Sequence, residues 1–77
     1  MKTRYKYIHF EKDIPTAEGW VIINNRSNAV LGYLAYYKPW KQYVFSQASE
    51  NIVFNKSCLQ EIIHFMDQLE SEAGDDR

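Results

Sequence analysis

The chain has little of several things: one cysteine, Cys58, two prolines and three glycines in 77 residues. A lone thiol closes no intrachain disulfide, and a chain this short that folds without staples fits a reducing compartment, so a cytoplasmic location is expected. No apolar run approaches the ~20 residues that span a bilayer, so no membrane association is expected. The start, Met1-Lys2-Thr3-Arg4, leads into alternating residues rather than a continuous apolar stretch, which argues against a secretory signal. Charge of one sign is lacking too. Nine Lys plus Arg against ten Asp plus Glu leave a formal net charge of −1, against a globally basic nucleic-acid or membrane-surface binder. The glycines are scattered and form no phosphate loop. The two histidines, His9 and His64, form no short-spaced cluster with Cys58 and carboxylates, so no metal and no cofactor is expected.

What remains is globular: 45% apolar and 25% charged, enough for one small domain over residues 1–72 with a frayed acidic tail at 73–77. Aromatic residues make up 16% of the chain, and six of them, Tyr33, Tyr36, Tyr37, Trp40, Tyr43 and Phe45, fall in the window 33–45. Large rings build a core efficiently in a small domain, but tyrosine hydroxyls need water or a partner. The neutral total also hides an asymmetry. Residues 1–58 carry a net +4 and residues 59–77 a net −5.

Period-two patterning predicts strands over 5–10, 20–24, 30–37 and 40–45, with 52–54 a candidate short fifth strand. Asp13 to Gly19 contains Pro15 and reads as a loop. Asn25-Arg26-Ser27-Asn28 is a polar turn whose asparagines tolerate positive φ, and Lys38-Pro39 marks a reversal. From Asn55 the period changes: Leu59, Ile62, Ile63, Met66 and Leu69 fall on one stripe of an amphipathic helix. Asn55 and the Ser57/Gln60 pair are alternative caps; Asn55 is favoured because Phe54 and Leu59 would then staple the helix to the preceding segment. Gly74 is the stop signal. The expected architecture is α+β: an antiparallel four-stranded meander with one C-terminal helix packed on one face.

With even-length hairpin loops, one sheet face holds Trp20, Ile22, Leu31, Tyr33, Ala35, Tyr37 and Val44. The other holds Val21, Ile23, Val30, Leu34, Tyr36, Tyr43 and Phe45. Neither face is polar, and one helix about 10 Å across covers only one of them. A leftover apolar patch of more than a few hundred Å² marks an interface or a ligand site. The alternative is that the N-terminal strand and the 11–19 loop fold over it.

Trp20, Asn24, Ser27, Leu31-Gly32, Tyr36-Tyr37, Trp40, Gln42-Tyr43, Phe45, Phe54, Cys58-Leu59, Ile62 and Phe65 together resemble a family of small hypothetical proteins of bacteria and phages. The resemblance runs over residues 7–69 and centres on a W-Y-x-x-W-x-Q-Y-x-F string, in which Tyr36 stands at the first Trp. It implies a complete natural domain with a phage or mobile-element accessory role, and it carries no catalytic residues.

Cys58 in the first helical turn reads as a small core residue; as a nucleophile it would need a base, and His64 six positions on shares no face with it. The chain is therefore expected to be a non-enzymatic binding module. Its expected binding residues are Trp20, Tyr33, Tyr37 and Trp40, with Lys38, Lys41 and Arg26 at the rim. A protein partner or a homodimer is the first expectation, since Tyr, Trp and Arg are favoured interface anchors. Single-stranded nucleic acid or a nucleotide is the alternative, with rings stacking bases and Lys or Arg tracking phosphates.

Overall fold

The computed structural model describes residues 1–13 and 19–74. Four strands, β1 (Ile8–Lys12), β2 (Trp20–Asn24), β3 (Val30–Tyr37) and β4 (Gln42–Gln47), precede one helix, α1 (Lys56–Gly74). The strands pair antiparallel in the order β1-β2-β3-β4. This is the expected α+β meander with a C-terminal helix.

Both turns follow local chemistry. Asn24 N–H donates to Ala29 O at 2.9 Å and Asn28 takes the left-handed conformation at φ 62°, so 25–28 forms the polar turn that its asparagines predict. At the other end Lys38–Trp40 winds a 3-10 turn, closed by Lys41 at φ 55° and a Lys41 N–H to Lys38 O bond of 3.1 Å. That turn uses Trp40 and Lys41, so β4 begins at Gln42 rather than at 40. Strand β1 likewise starts later than position 5. The chain doubles back before it, with Tyr5 N–H donating to Ile8 O and Phe10 N–H to Thr3 O, so residues 3–5 lie alongside β1. Residues 52–54 join no strand; Ile52 O instead accepts from the Gln47 side chain at 3.0 Å.

The β2–β3 hairpin departs from the even-loop register. Ile23 faces Val30 as expected, but Ile22 faces Gly32 and Trp20 faces Leu34. Leu31 is the extra residue of a β-bulge, turned into the core at 9% exposure. An added Cβ on the neighbouring Gly32 would stand 2.5 Å from Ser46 O and 2.7 Å from the Phe45 ring. Glycine is thus what lets Phe45 lie across the strand.

Helix α1 starts where the first cap candidate sits. Asn55 Oδ1 accepts the Cys58 N–H at 2.8 Å, and Asn55 O accepts from Leu59 N–H at 3.1 Å. The buried stripe runs through Ile62, Phe65 and Leu69, with Cys58 and Met66 partly buried beside it. Leu59 and Ile63, expected on that stripe, are exposed at 44% and 57%. Cys58 packs against the core as a small apolar residue. The helix continues through the acidic segment to Gly74; fraying at 75–77 and the loop at 14–18 lie outside the described residues.

The core combines Ile8, Phe10, Ile22, Leu31, Leu34, Ile62, Phe65 and Leu69. Phe65 stacks on Phe10 with ring centroids 3.9 Å apart and planes 4° apart, and Trp20 meets the same ring edge-on at 5.0 Å. Phe65→Ala is expected to destabilise the fold by about 3–5 kcal/mol, and Asn55→Ala by about 1 kcal/mol, in urea unfolding followed by circular dichroism.

Candidate binding surface

Helix α1 covers the face of the sheet that carries Ile8, Phe10, Ile22 and Leu34. By strand alternation the opposite, outer face carries Val21 and Ile23 of β2, Val30, Tyr33, Ala35 and Tyr37 of β3, and Gln42, Val44 and Ser46 of β4. Tyr33 and Tyr37 are each 44% exposed and Val30 39%. Strands of five to eight residues at about 4.8 Å spacing make this face roughly 400 Å². On β1 the face ends in His9 and Glu11. Among the described strand residues of the outer face, only Glu11 carries a fixed formal charge.

The predicted binding residues divide into three groups. Tyr33 and Tyr37 share the outer face, and Trp40, 65% exposed, meets Tyr37 edge-on at 5.3 Å in the turn that also holds Lys38 and Lys41. Tyr37, Trp40, Lys38 and Lys41 lie at one end of the sheet, and Tyr33 sits mid-strand, four residues back along β3. Trp20 does not join them. It pairs with Leu34, points to the helix side, packs on Phe65 and has Lys12 Nζ 4.6 Å from its ring centroid. Arg26 sits in the β2–β3 turn, at the far end of β3 from Lys38; eight residues of strand put the two about 26 Å apart.

The bulge explains the error over Trp20. Beyond Leu31 it reverses the sides of β2 relative to β3, so Val21 and Ile23 replace Trp20 and Ile22 beside Tyr33. The signal was present: an isolated glycine within a strand pattern, Gly32, marks a bulge. Tyr36 and Tyr43 pair edge-on at 5.4 Å on the helix side.

The N-terminal segment lies on the edge and the helix side, not over the outer rings. Lys2 N–H donates to Gln68 Oε1 and Gln68 Nε2 donates to Lys2 O, both at 2.8 Å. Gln68 Nε2 also donates to Tyr5 Oη at 3.0 Å, which directs the phenol proton to His64 Nδ1 at 2.6 Å. On β1 a second cluster fixes His9, which is 7% exposed. Asn25 Nδ2 donates to Tyr5 O at 2.8 Å, so its Oδ1 faces His9 Nδ1 at 2.6 Å, while Glu11 Oε2 lies 3.0 Å from His9 Nε2. Each ring nitrogen of His9 thus has a polar partner, which fixes the orientation of the ring. Each cluster reads as a clasp for the N-terminal segment; Ser57 lines the same hollow as Tyr5 and His64, and Cys58 the same hollow as Asn25.

A cleft of about 410 Å³ opens beside Gly19, Trp20 and Tyr36. Among the described residues no group of three or more His, Cys, Asp or Glu could hold a metal ion. No described helix is long and apolar enough to cross a membrane.

Among known proteins, the chain is similar to an uncharacterized 9.3 kDa protein of Acholeplasma phage L2, with 35% identity over 51 residues. The match spans 66% of this chain and 64% of that protein, just under two thirds of its length. No protein-family model matches the chain, and no solved structure matches it. The similarity thus reaches a small uncharacterized phage protein.

Burial raises the Tyr5 pKa above its ordinary value; the Gln68 hydrogen bond opposes the shift and the charge of Glu61 adds to it. Above about pH 10 the unfolded chain therefore releases this proton before the folded one does, and stability falls as pH rises. Tyr5→Phe is expected to flatten that fall, measured as urea midpoints between pH 8 and 11.

Proposed function

We propose that the protein is a non-enzymatic binding module that docks another protein on its outer sheet face. The observation that carries this reading is the outer face, on which Val30, Tyr33, Ala35 and Tyr37 are exposed and Val21, Ile23 and Val44 half-buried, while the helix among the described residues lies on the other side of the sheet. Exposed apolar side chains gathered on one face are surface that association would bury. Exposed tyrosines with Trp40 at the rim supply rigid rings of the kind that anchor interfaces. The similarity to a phage protein supports an accessory role in a phage or mobile element. Cys58, without a disulfide partner, fits action in the cytoplasm.

The charge pattern favours protein over nucleic acid. Phosphate-tracking cations belong along a base-stacking platform, whereas here Lys38 and Lys41 sit in one turn, Arg26 is at the other end, and Lys2, Lys6 and Lys12 stand over Tyr5, Tyr7 and Trp20. One feature favours a nucleotide at the tip: the Tyr37–Trp40 ring pair in the turn that carries those two lysines.

A photo-crosslinking side chain at position 33 tests the reading, with position 63 on the exposed helix flank as control. In cells that make the protein, position 33 is expected to yield a discrete protein adduct that Tyr37→Lys abolishes, and position 63 none. Equal labelling from both positions overturns it. Quenching of Trp40 fluorescence by a short single-stranded oligonucleotide at low salt, relieved as salt rises, would move the assignment to nucleic acid.

A further inference from the structure

The two edges of the sheet are treated differently. Edge strand β1 is flanked by residues 3–5, through the Phe10 to Thr3 and Tyr5 to Ile8 bonds, and it ends in Glu11 and Lys12. Edge strand β4, Gln-Tyr-Val-Phe-Ser-Gln, has six residues with no charge, no proline and no irregularity in its pairing with β3. Natural sheets protect such edges with charges, prolines, bulges or covering segments. Among the described residues β4 carries no charge, proline or bulge. The 52–54 segment meets it through side chains, Phe54 on the Phe45 ring at 5.2 Å and Ile52 O on the Gln47 amide, and no backbone bond to Tyr43, Phe45 or Gln47 comes from it.

The pattern of bonds identifies the free groups. Ala48 N–H donates to Leu31 O at 3.0 Å in continuation of the Tyr33–Ser46 and Ala35–Val44 register. In an antiparallel ladder alternate residues direct both backbone groups to the same neighbour. Residues 42, 44 and 46 therefore bond to β3, and Tyr43, Phe45 and Gln47 point their N–H and C=O outward. We propose that β4 pairs antiparallel with β4 of a second copy of the chain, joining the two sheets into one about a two-fold axis at Phe45.

Three observations select a second copy. The strand is free of charge, so nothing on it repels its own duplicate. Its flanks are of opposite sign, Lys41 before it and Glu50 after it; antiparallel pairing brings the Lys41 turn of one copy toward the Glu50 loop of the other, whereas parallel pairing would oppose like charges. The register about Phe45 uses all three outward residues of each copy, giving about six hydrogen bonds at two per facing pair. It also sets Val44 opposite Ser46 of the partner on the outer side, so the two outer faces become one broader face. The seam uses backbone at the edge and does not rest on the docking role of the outer rings.

Amide hydrogen exchange resolved by residue, at low micromolar and near-millimolar protein, tests the seam together with sedimentation equilibrium. The expected result is a dimer at high concentration, with exchange at Tyr43, Phe45 and Gln47 slowed about tenfold or more only there. The V44K/S46K variant sets like charges opposite each other across the seam; it is expected to keep the circular dichroism of the parent and lose both the dimer and the protection. A monomer at all concentrations overturns the inference. So does a dimer in which those three amides exchange unchanged, an outcome that would assign self-association to the outer face instead.

Discussion

The fold depends on one ring. Phe65 stacks on Phe10 of β1 and receives the edge of Trp20 of β2, so a single helical side chain ties α1 to two strands at once. A 77-residue chain has little interior to work with, and its eight buried apolar residues collect around this contact. Once the helix is committed to that side, the opposite side of the sheet has no second helix to meet among the described residues.

The Leu31 bulge decides what that opposite side contains. It turns Leu31 inward and sends Trp20 with it to the helix, and it leaves small β-branched residues of β2 beside the tyrosines of β3. The outer surface is consequently flatter than a face carrying Trp20 would be, with its rings gathered on β3 and in the following turn. Two leader clasps, Lys2–Gln68 with Tyr5–His64 and His9–Asn25 with Glu11, hold the N-terminal segment at the edge and leave that surface open to solvent.

Much of this was legible from residue order. Strand period, the 25–28 turn with a left-handed asparagine, the Asn55 cap and the single helix follow from local chemistry, which depends on neighbours a few residues apart. The second hairpin was also legible, because its four-residue loop keeps Leu34, Tyr36, Tyr43 and Phe45 on one side. Local order failed where tertiary packing chose between near-equal options. Phe65, rather than Leu59 or Ile63, faces the sheet because Phe10 and Trp20 receive its ring. The sides of β2 depended on one inserted residue, and alternation carries no sign of such an insertion unless Gly32 is taken as its marker. Arg26 could not be located from spacing alone, since only the strand count places it at the far end of β3.

The reciprocal amide pair between Lys2 and Gln68 joins positions 66 residues apart. Closing so long a span early in folding would cost chain entropy before other contacts offset it. The clasp therefore shuts after the hairpins and helix have assembled, and opens before them when the molecule breathes. The β1 edge beneath it is held separately, by the Phe10 N–H to Thr3 O and Tyr5 N–H to Ile8 O bonds, so loss of the amide pair alone would free the first two residues and leave that edge covered.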